Sequence, residues 1–165
     1  MDRLILLRHG KAESESVSGD DFDRRLAPRG VRESAAMART LAELGFVPDV
    51  ALVSPAARTR DTWAAAEAAF PDAKVSLVGD LYNSDSEGVR QAALVAGRKA
   101  GTVIVIGHNP GLQELTVRLL MEGHAPSTLI HRAQHRFPTA AASVFLFDGE
   151  GRPSYDGLFY PERGH

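Results

Sequence analysis

The chain contains no cysteine among its 165 residues. This absence excludes disulfide bonds, zinc sites built on thiolates and cysteine nucleophiles. There is also no apolar run long enough to predict a transmembrane helix, and no pattern typical of a signal peptide, so we expect a cytoplasmic protein. The formal net charge is only -2, so no excess of positive charge points to nucleic acid or to a membrane as a partner.

What the sequence does contain is ordinary for a globular protein. Hydrophobic residues make up 44% of the chain and charged residues 24%. The length predicts one domain, covering residues 1–165, that is large enough to bury a substantial core.

Short apolar runs rich in β-branched residues alternate with alanine-rich stretches of helical length. This alternation predicts an α/β fold with a largely parallel sheet. We predict strands at 3–7, 49–53, 74–78, 102–106, 143–147 and 155–160. We predict helices at 28–44, 56–70, 86–99 and 110–121, and assign no element to 122–138.

Three of the predicted strands are followed by motifs of similar character, RHG at 8–10, SPAAR at 54–58 and GHNPG at 107–111. Open α/β sheets bind ligands beyond the carboxyl ends of their strands. If these three ends are neighbours, two arginines and two histidines share one pocket. That composition predicts a site for phosphate or for a similar oxyanion such as sulfate, vanadate or tungstate.

Two of these junctions also have the pattern of helix starts. Ser54 and Asn109 are favourable N-caps, and Pro55 and Pro110 suit the first helical position. Arg58 then falls in or near a first turn, where the helix dipole disfavours a cation. A bound phosphate would neutralise both the arginine and the dipole, so this local conflict favours a binding function.

Each of these residues also has a purely structural interpretation when it is taken alone. An arginine or histidine beside a strand is often an ion-pair partner, a capping residue or a satisfied core residue. The functional interpretation is favoured because all three junctions fall at one edge of the predicted sheet. By contrast, His131 and His135 have the spacing of a helical metal pair but lack a third ligand, so we interpret them as solvated.

The ordered motifs resemble those of the histidine phosphatase superfamily, which includes the phosphoglycerate mutases. Further stretches resemble its SixA-type phosphohistidine phosphatase branch, namely RHGKAE at 8–13, RRLAPRG at 24–30, LYNS at 81–84, VIGHNPGL at 105–112 and FPTAA at 137–141. The resemblance implies a three-layer α/β/α sandwich of the phosphoglycerate mutase-like kind. It also implies a phosphatase that needs no metal or other cofactor and passes through a phosphohistidine on the enzyme.

The resemblance assigns the catalytic set, which comprises Arg8, His9, Arg58 and His108. It implies that His9 is the nucleophile and that the other three side chains hold the phosphoryl oxygens. The substrate-binding set it implies adds Gly10, Arg24 and Asn109. Nearby arginines disfavour a protonated imidazole, so they should help to keep His9 reactive. We expect His9 to lie in a loop beyond the strand rather than in the core.

The sequence lacks the carboxylic acid motif that many members of the superfamily use as a proton donor. Mutases and many ester phosphatases of the superfamily protonate an alkoxide leaving group with a carboxylic acid, but the corresponding segment, GDLYNSDSEG at 79–88, does not match that acid motif. That segment contains Asp80, Asp85 and Glu87, and Glu13 is another possible acid. An imidazole leaving group needs less help, because it is neutral once its far nitrogen carries a proton. This favours phosphohistidine on a protein as the substrate.

Three alternatives stay open. A small-molecule phosphomonoesterase of the same superfamily would act on a phosphorylated metabolite. A mutase is disfavoured because the chain is short for the added segments that enclose its substrate. A non-catalytic module that binds phosphate or phosphoproteins is disfavoured because His9 is present.

Overall fold

Six strands form the central sheet, namely β1 (Arg3–Arg8), β2 (Val50–Val53), β3 (Lys74–Leu77), β4 (Thr102–Gly107), β5 (Ala142–Phe147) and β6 (Pro153–Phe159). The computed structural model describes residues 1–162. The strand order is β3-β2-β4-β1-β5-β6. Strands β1 to β4 are parallel, whereas β5 runs antiparallel to β1 and β6 antiparallel to β5. The predicted, largely parallel sheet is confirmed, and the two late strands extend it in antiparallel fashion.

Helices cover both faces of this sheet, namely α1 (Pro28–Glu43), α2 (Ala57–Ala66), α3 (Ser86–Ala96), α4 (Gly111–Glu122) and α5 (Ser127–His135). Because side chains alternate along a strand, Ile5 and Leu7 of β1 pack with α1 and α2, and Leu4 and Leu6 pack with α3, α4 and α5. Burial on both faces explains why the inner strands are continuous apolar runs. The predicted three-layer α/β/α sandwich is confirmed.

The largest differences from the predicted elements lie in α5 and α2. Helix α5 lies in the segment left without an assignment; it buries only Ala133, with Leu129 and Ile130 partly buried against the core. Helix α2 ends at Ala66 and is followed by a 3-10 turn, Glu67–Ala69. None of the helices within residues 1–162 is long and apolar enough to cross a membrane.

The strand order places the three motifs side by side. Strand β4 lies between β1 and β2, with Arg8 paired to Gly107 and Val53 paired to Ile106. The carboxyl ends of these parallel strands therefore lie at one edge of the sheet. The prediction that the three ends are neighbours is confirmed.

Candidate active site

His9 follows β1 directly and is buried, with 7% of its surface exposed. Its Nδ1 lies 2.7 Å from the carbonyl oxygen of Gly10. A carbonyl can only accept, so Nδ1 carries the proton and Nε2 of the neutral ring keeps a free lone pair. The backbone N–H of His9 donates to Gly107 and its carbonyl accepts from Ala140. His9 lies beyond the strand as predicted, but the expectation that it lies outside the core is wrong, because these segments enclose it.

The surroundings of His9 disfavour its protonated form. The pKa of His9 is lowered from 6.5 to about 3. Burial is the largest cause, the hydrogen bond to Gly10 partly opposes it, and the charges of His108, Arg8 and Arg58 add smaller lowering effects. The arginines act in the predicted direction, although burial is the larger cause. His9 is therefore neutral at ordinary pH, with Nε2 available as a nucleophile.

His108 follows β4 and faces His9 across the strand ends, with 5.3 Å between the ring centroids. Its Nε2 lies 2.8 Å from Oγ of Ser54, at the end of β2. The pKa of His108 is lowered to about 4, mainly by burial and next by the charge of Arg58. Nδ1 of His108 is buried and has no hydrogen-bond partner in the described part of the chain. Such an atom can be satisfied by a ligand.

Arg58 is the second residue of α2, as predicted for a first turn, and only 7% of it is exposed. Its Nη1 donates to the backbone carbonyl of Asp21 at 2.9 Å, and its Nη2 donates to Oδ2 of Asp21 at 3.1 Å. Nε of Arg58 is buried and has no hydrogen-bond partner among residues 1–162. The side chain therefore retains donors that Asp21 does not use.

Arg8 and Asn109 are held by one carbonyl oxygen. Nη1 of Arg8 and Nδ2 of Asn109 both donate to the backbone oxygen of Phe137, at 3.0 and 2.9 Å. The backbone N–H of Ala140 donates to the carbonyl of Arg8 as well as to that of His9. The FPTAA segment at 137–141 thus joins the end of β1 to the end of β4.

The backbone of Gly10 links His9 to helix α2. Its N–H donates to Oγ1 of Thr62, which donates in turn to the carbonyl of Arg58. Both backbone polar groups of Gly10 are therefore used inside the protein, since its carbonyl accepts from His9. A contact between Gly10 and substrate would require a change in this arrangement, and its place in the substrate-binding set stays a prediction, as does that of Asn109.

The two predicted N-caps are wrong. Helix α2 begins at Ala57 with Ala56 as its N-cap, and α4 begins at Gly111 with Pro110 as its N-cap; neither N-cap side chain makes a capping bond. The prolines therefore precede the first helical positions. The polar side chains have tertiary partners instead, because Ser54 contacts His108 and Asn109 contacts Phe137.

Sequence reasoning missed Asp21 and Tyr82 as neighbours of the site. Tyr82 donates its hydroxyl hydrogen to Oδ2 of Asp21 at 2.6 Å, and its ring stands edge-on to that of His108 at 5.7 Å. Nε of Arg24 donates to Oδ1 of Asp21 at 3.0 Å, so a contact between Arg24 and phosphate also stays a prediction. Tyr82 belongs to the LYNS stretch and Asp21 to a polar loop, but no local pattern pairs them.

The carboxylate that the structure places beside Arg58 is Asp21, rather than one of the four acids considered from the sequence, Glu13, Asp80, Asp85 and Glu87. The side chain of Asp85 accepts from the N–H of Gly88 at the start of α3, and Glu87 lies 3.5 Å from Arg118. The hydrogen bond from Tyr82 lowers the pKa of Asp21 to about 2, with help from Arg24 and Arg58. Asp21 is therefore an anion at ordinary pH and a poor proton donor.

The arrangement combines a neutral histidine with fixed positive charge. Arg8 and Arg58 contribute guanidinium groups that suit phosphoryl oxygens, and Nε2 of His9 is free to attack phosphorus. Within residues 1–162, no group of three or more histidine, aspartate or glutamate side chains is placed to hold a metal ion. His131 and His135 lie on α5 and are exposed.

Several known proteins are similar to this chain in sequence and in fold. The family model for the histidine phosphatase superfamily (branch 1) matches residues 4–81. The chain is 30% identical to an Agrobacterium tumefaciens protein with the provisional name phosphohistidine phosphatase SixA, whose crystal structure matches with a TM-score of 0.82 over 97% of this chain and 98% of that chain. A Nakamurella multipartitia protein with the same provisional name is 27% identical, with a TM-score of 0.83 over 97% of this chain and 96% of that chain. An uncharacterized chloroplastic protein of Arabidopsis thaliana is 28% identical over 97% of this chain and 78% of its own length.

Proposed function

Because this chain belongs to the SixA-type branch of the histidine phosphatase superfamily and is therefore a phosphatase, we propose that it removes phosphate from phosphohistidine on a protein without a metal ion. The observation that carries the proposal is the state of His9. The ring is buried and neutral, its Nδ1–H is held by Gly10, and its Nε2 has a free lone pair near Arg8 and Arg58.

In the first step, the lone pair on Nε2 of His9 forms a bond to phosphorus while the bond from phosphorus to the substrate nitrogen breaks. Arg8, Arg58 and His108 stabilise the charge on the phosphoryl oxygens, which is the main demand of phosphoryl transfer. The substrate imidazole leaves as a neutral molecule if its far nitrogen already carries a proton.

In the second step, water attacks phosphorus and the bond to Nε2 of His9 breaks. Nδ1 keeps its proton throughout, because the Gly10 carbonyl holds it. Phosphorylated His9 is therefore a cationic ring that leaves as neutral imidazole, and a proton from the water passes to phosphate or to solvent. Both half-reactions expel the same leaving group, so a site without a strong acid suits a nitrogen–phosphorus bond.

The state of Asp21 also supports this substrate class. An alkoxide leaves poorly without a proton donor, and Asp21 is held as an anion by Tyr82, Arg24 and Arg58. The provisional names of the A. tumefaciens and N. multipartitia proteins indicate the same substrate class for those relatives. A metabolite phosphatase would need a protonated acid beside its leaving group.

The test compares turnover of a protein phosphorylated on histidine with turnover of a panel of phosphomonoesters, each with and without EDTA. We expect the phosphohistidine protein to be the fastest substrate and EDTA to leave its rate unchanged. Loss of activity on chelation that one divalent ion restores would contradict metal independence. Faster turnover of an ester would overturn the substrate class and leave the histidine mechanism intact.

The same assay identifies the nucleophile. His9→Ala should abolish turnover, whereas His135→Ala, at an exposed histidine on α5, should not. Rapid quenching during turnover, under alkaline conditions that preserve phosphohistidine, should place the label on His9. A fully active His9→Ala variant, or label on His108 alone, would show that the two histidines are assigned wrongly.

A further inference from the structure

Asp21 contacts Arg58 twice and has no place in the reaction described above. Its backbone carbonyl accepts from Nη1 of Arg58, and its carboxylate accepts from Nη2. We propose that Asp21 is a positioning residue, which holds the Arg58 guanidinium so that its Nε–H side is presented to the phosphoryl group. The inference rests on the proposed function, because it concerns the same site.

Asp21 and a bound phosphate would use different N–H donors of Arg58, so the two need not compete for the guanidinium. A guanidinium has five N–H donors in a rigid plane, and Asp21 uses one on each terminal nitrogen. Nε–H is left buried and without a partner among the described residues. Asp21 therefore leaves Nε–H available, so a phosphoryl oxygen placed against Nε need not displace either contact to Asp21.

Asp21 is itself held in place, although 54% of its side chain is exposed. Oδ2 accepts from the Tyr82 hydroxyl at 2.6 Å, and Oδ1 accepts from Nε of Arg24 at 3.0 Å. The Tyr82 ring also lies 5.9 Å from Cζ of Arg58 and edge-on to His108. Both carboxylate oxygens are thus fixed by groups that border the site, so Asp21 can set the orientation of Arg58.

A purely electrostatic role for Asp21 predicts the opposite result from a positioning role. A carboxylate beside the pocket reduces its positive potential, so removal of the charge alone would strengthen anion binding. If Asp21 positions Arg58, its removal leaves the guanidinium free to move and weakens both anion binding and the rate. Two substitutions separate these effects, because Asp21→Asn removes the charge but keeps an acceptor, whereas Asp21→Ala removes both.

The experiment measures kcat and KM on the phosphohistidine protein, and tungstate affinity by calorimetry. We expect Asp21→Ala to lower kcat about 10- to 100-fold, as misplacement of a catalytic group does, with a smaller effect on KM and weaker tungstate binding. Asp21→Asn should recover part of kcat. Tyr82→Phe, which keeps the ring and loses the hydroxyl, should lower kcat in the same direction. Asp20→Ala is the matched control, since it removes an exposed charge from the adjacent residue and should leave kcat unchanged.

A double-mutant cycle shows whether Asp21 acts through Arg58. Arg58→Ala alone should lower kcat about 10²- to 10³-fold, as loss of a transition-state donor does, and Asp21→Ala should add nothing in that background. Wild-type kcat in Asp21→Ala, tighter tungstate binding, or independent effects of the two substitutions would overturn the inference. If Arg58→Ala itself is fully active, the proposed function is at fault instead.

Discussion

At the scale of single residues, the position of one proton organises the site. The Gly10 carbonyl holds the proton of His9 on Nδ1, so Nε2 has a free lone pair. In the proposed mechanism the ring then leaves phosphorus as neutral imidazole. The ring centroids of His9 and His108 lie 5.3 Å apart, and both rings are neutral at ordinary pH. A charge on His108 would further disfavour protonation of His9.

We predict that neither imidazole ring titrates near neutral pH. The pKa values of His9 and His108 are lowered to about 3 and about 4, so both rings should stay neutral as pH falls from 8 to 5. Proton NMR of the imidazole Cε1–H signals, assigned by loss of a signal in each His→Ala variant, measures this directly. We expect no titration step for either ring near pH 6.5.

The same spectra test the cause of the shift. Arg58→Ala should leave the pKa of His9 low, because burial is the larger cause and the arginine charge a smaller one. A His9 titration midpoint that returns to about 6.5 in Arg58→Ala would show that charge dominates. A wild-type His9 that is protonated at pH 6 would contradict the free lone pair on which the mechanism depends.

At the scale of elements, the loop after β1 lies against the first turn of α1. A Cβ atom at Gly10 would lie 2.5 Å from the carbonyl oxygen of Gly30, and one at Gly30 would lie 2.1 Å from that of Lys11. Contacts this short with backbone atoms cannot be relieved by a side-chain rotation. The two glycines therefore allow α1 to pack against the loop that carries His9, while Oγ1 of Thr62 in α2 accepts from the Gly10 N–H in the same loop.

We predict that Gly10→Ala lowers both stability and activity. The added methyl group must displace the backbone of the His9 loop or of α1, which should cost about 1–3 kcal/mol of unfolding free energy, as overpacking does. The shift also moves Nε2 of His9, so kcat should fall more than KM rises. Urea denaturation and steady-state kinetics measure the two effects.

Gly79→Ala is the matched control for this substitution, because no heavy atom lies within 4 Å of the Cβ that it would add. It should leave the free energy of unfolding and kcat close to their wild-type values. If Gly10→Ala retains wild-type stability and kcat, the loop is free to move and the close packing against α1 does not position the nucleophile.

At the scale of the whole molecule, the site exists only when the layers are assembled. It draws on the ends of β1, β2 and β4, on the loop that contains Asp21 and on the segment before β5. An oxyanion that needs all of these groups binds the folded chain and not the unfolded one. Anion binding should therefore stabilise the whole fold by mass action.

The corresponding prediction is a rise in melting temperature with tungstate or phosphate. At a ligand concentration of 100 times Kd the gain is about 2.7 kcal/mol, which corresponds to roughly 5–10 °C for a chain of this size. Thermal denaturation followed by circular dichroism measures the shift, with sodium chloride at equal ionic strength as the control. Arg58→Ala should reduce the shift strongly. An equal shift in Arg58→Ala, or with chloride, would mean that the stabilising anion binds elsewhere.

Much of the fold and the outline of the site could be predicted from the sequence, because both depend on local patterns. Strand and helix periodicity and length are properties of short segments, and they predicted the largely parallel sheet and all six strands. The three-layer sandwich was implied by the resemblance to the histidine phosphatase superfamily. The motifs around His9, Arg58 and His108 follow strands directly, so their meeting at one sheet edge could be expected once parallel strands were predicted. Helix α5 was missed because it is only nine residues long and most of its side chains are polar and exposed.

The contacts that tune the site were decided by the tertiary structure alone. Asp21 contacts Arg58, which is 37 positions away in the sequence, and Tyr82, which is 61 positions away. No local pattern selects such partners. Ser54, predicted as a helix cap, contacts His108 because β2 and β4 are adjacent. Burial, the largest cause of the lowered pKa of His9, depends on segments from several parts of the chain. Residue identities thus determined which chemistry is available, whereas packing determined proton positions and charge partners, because these depend on distances that exist only in the folded chain.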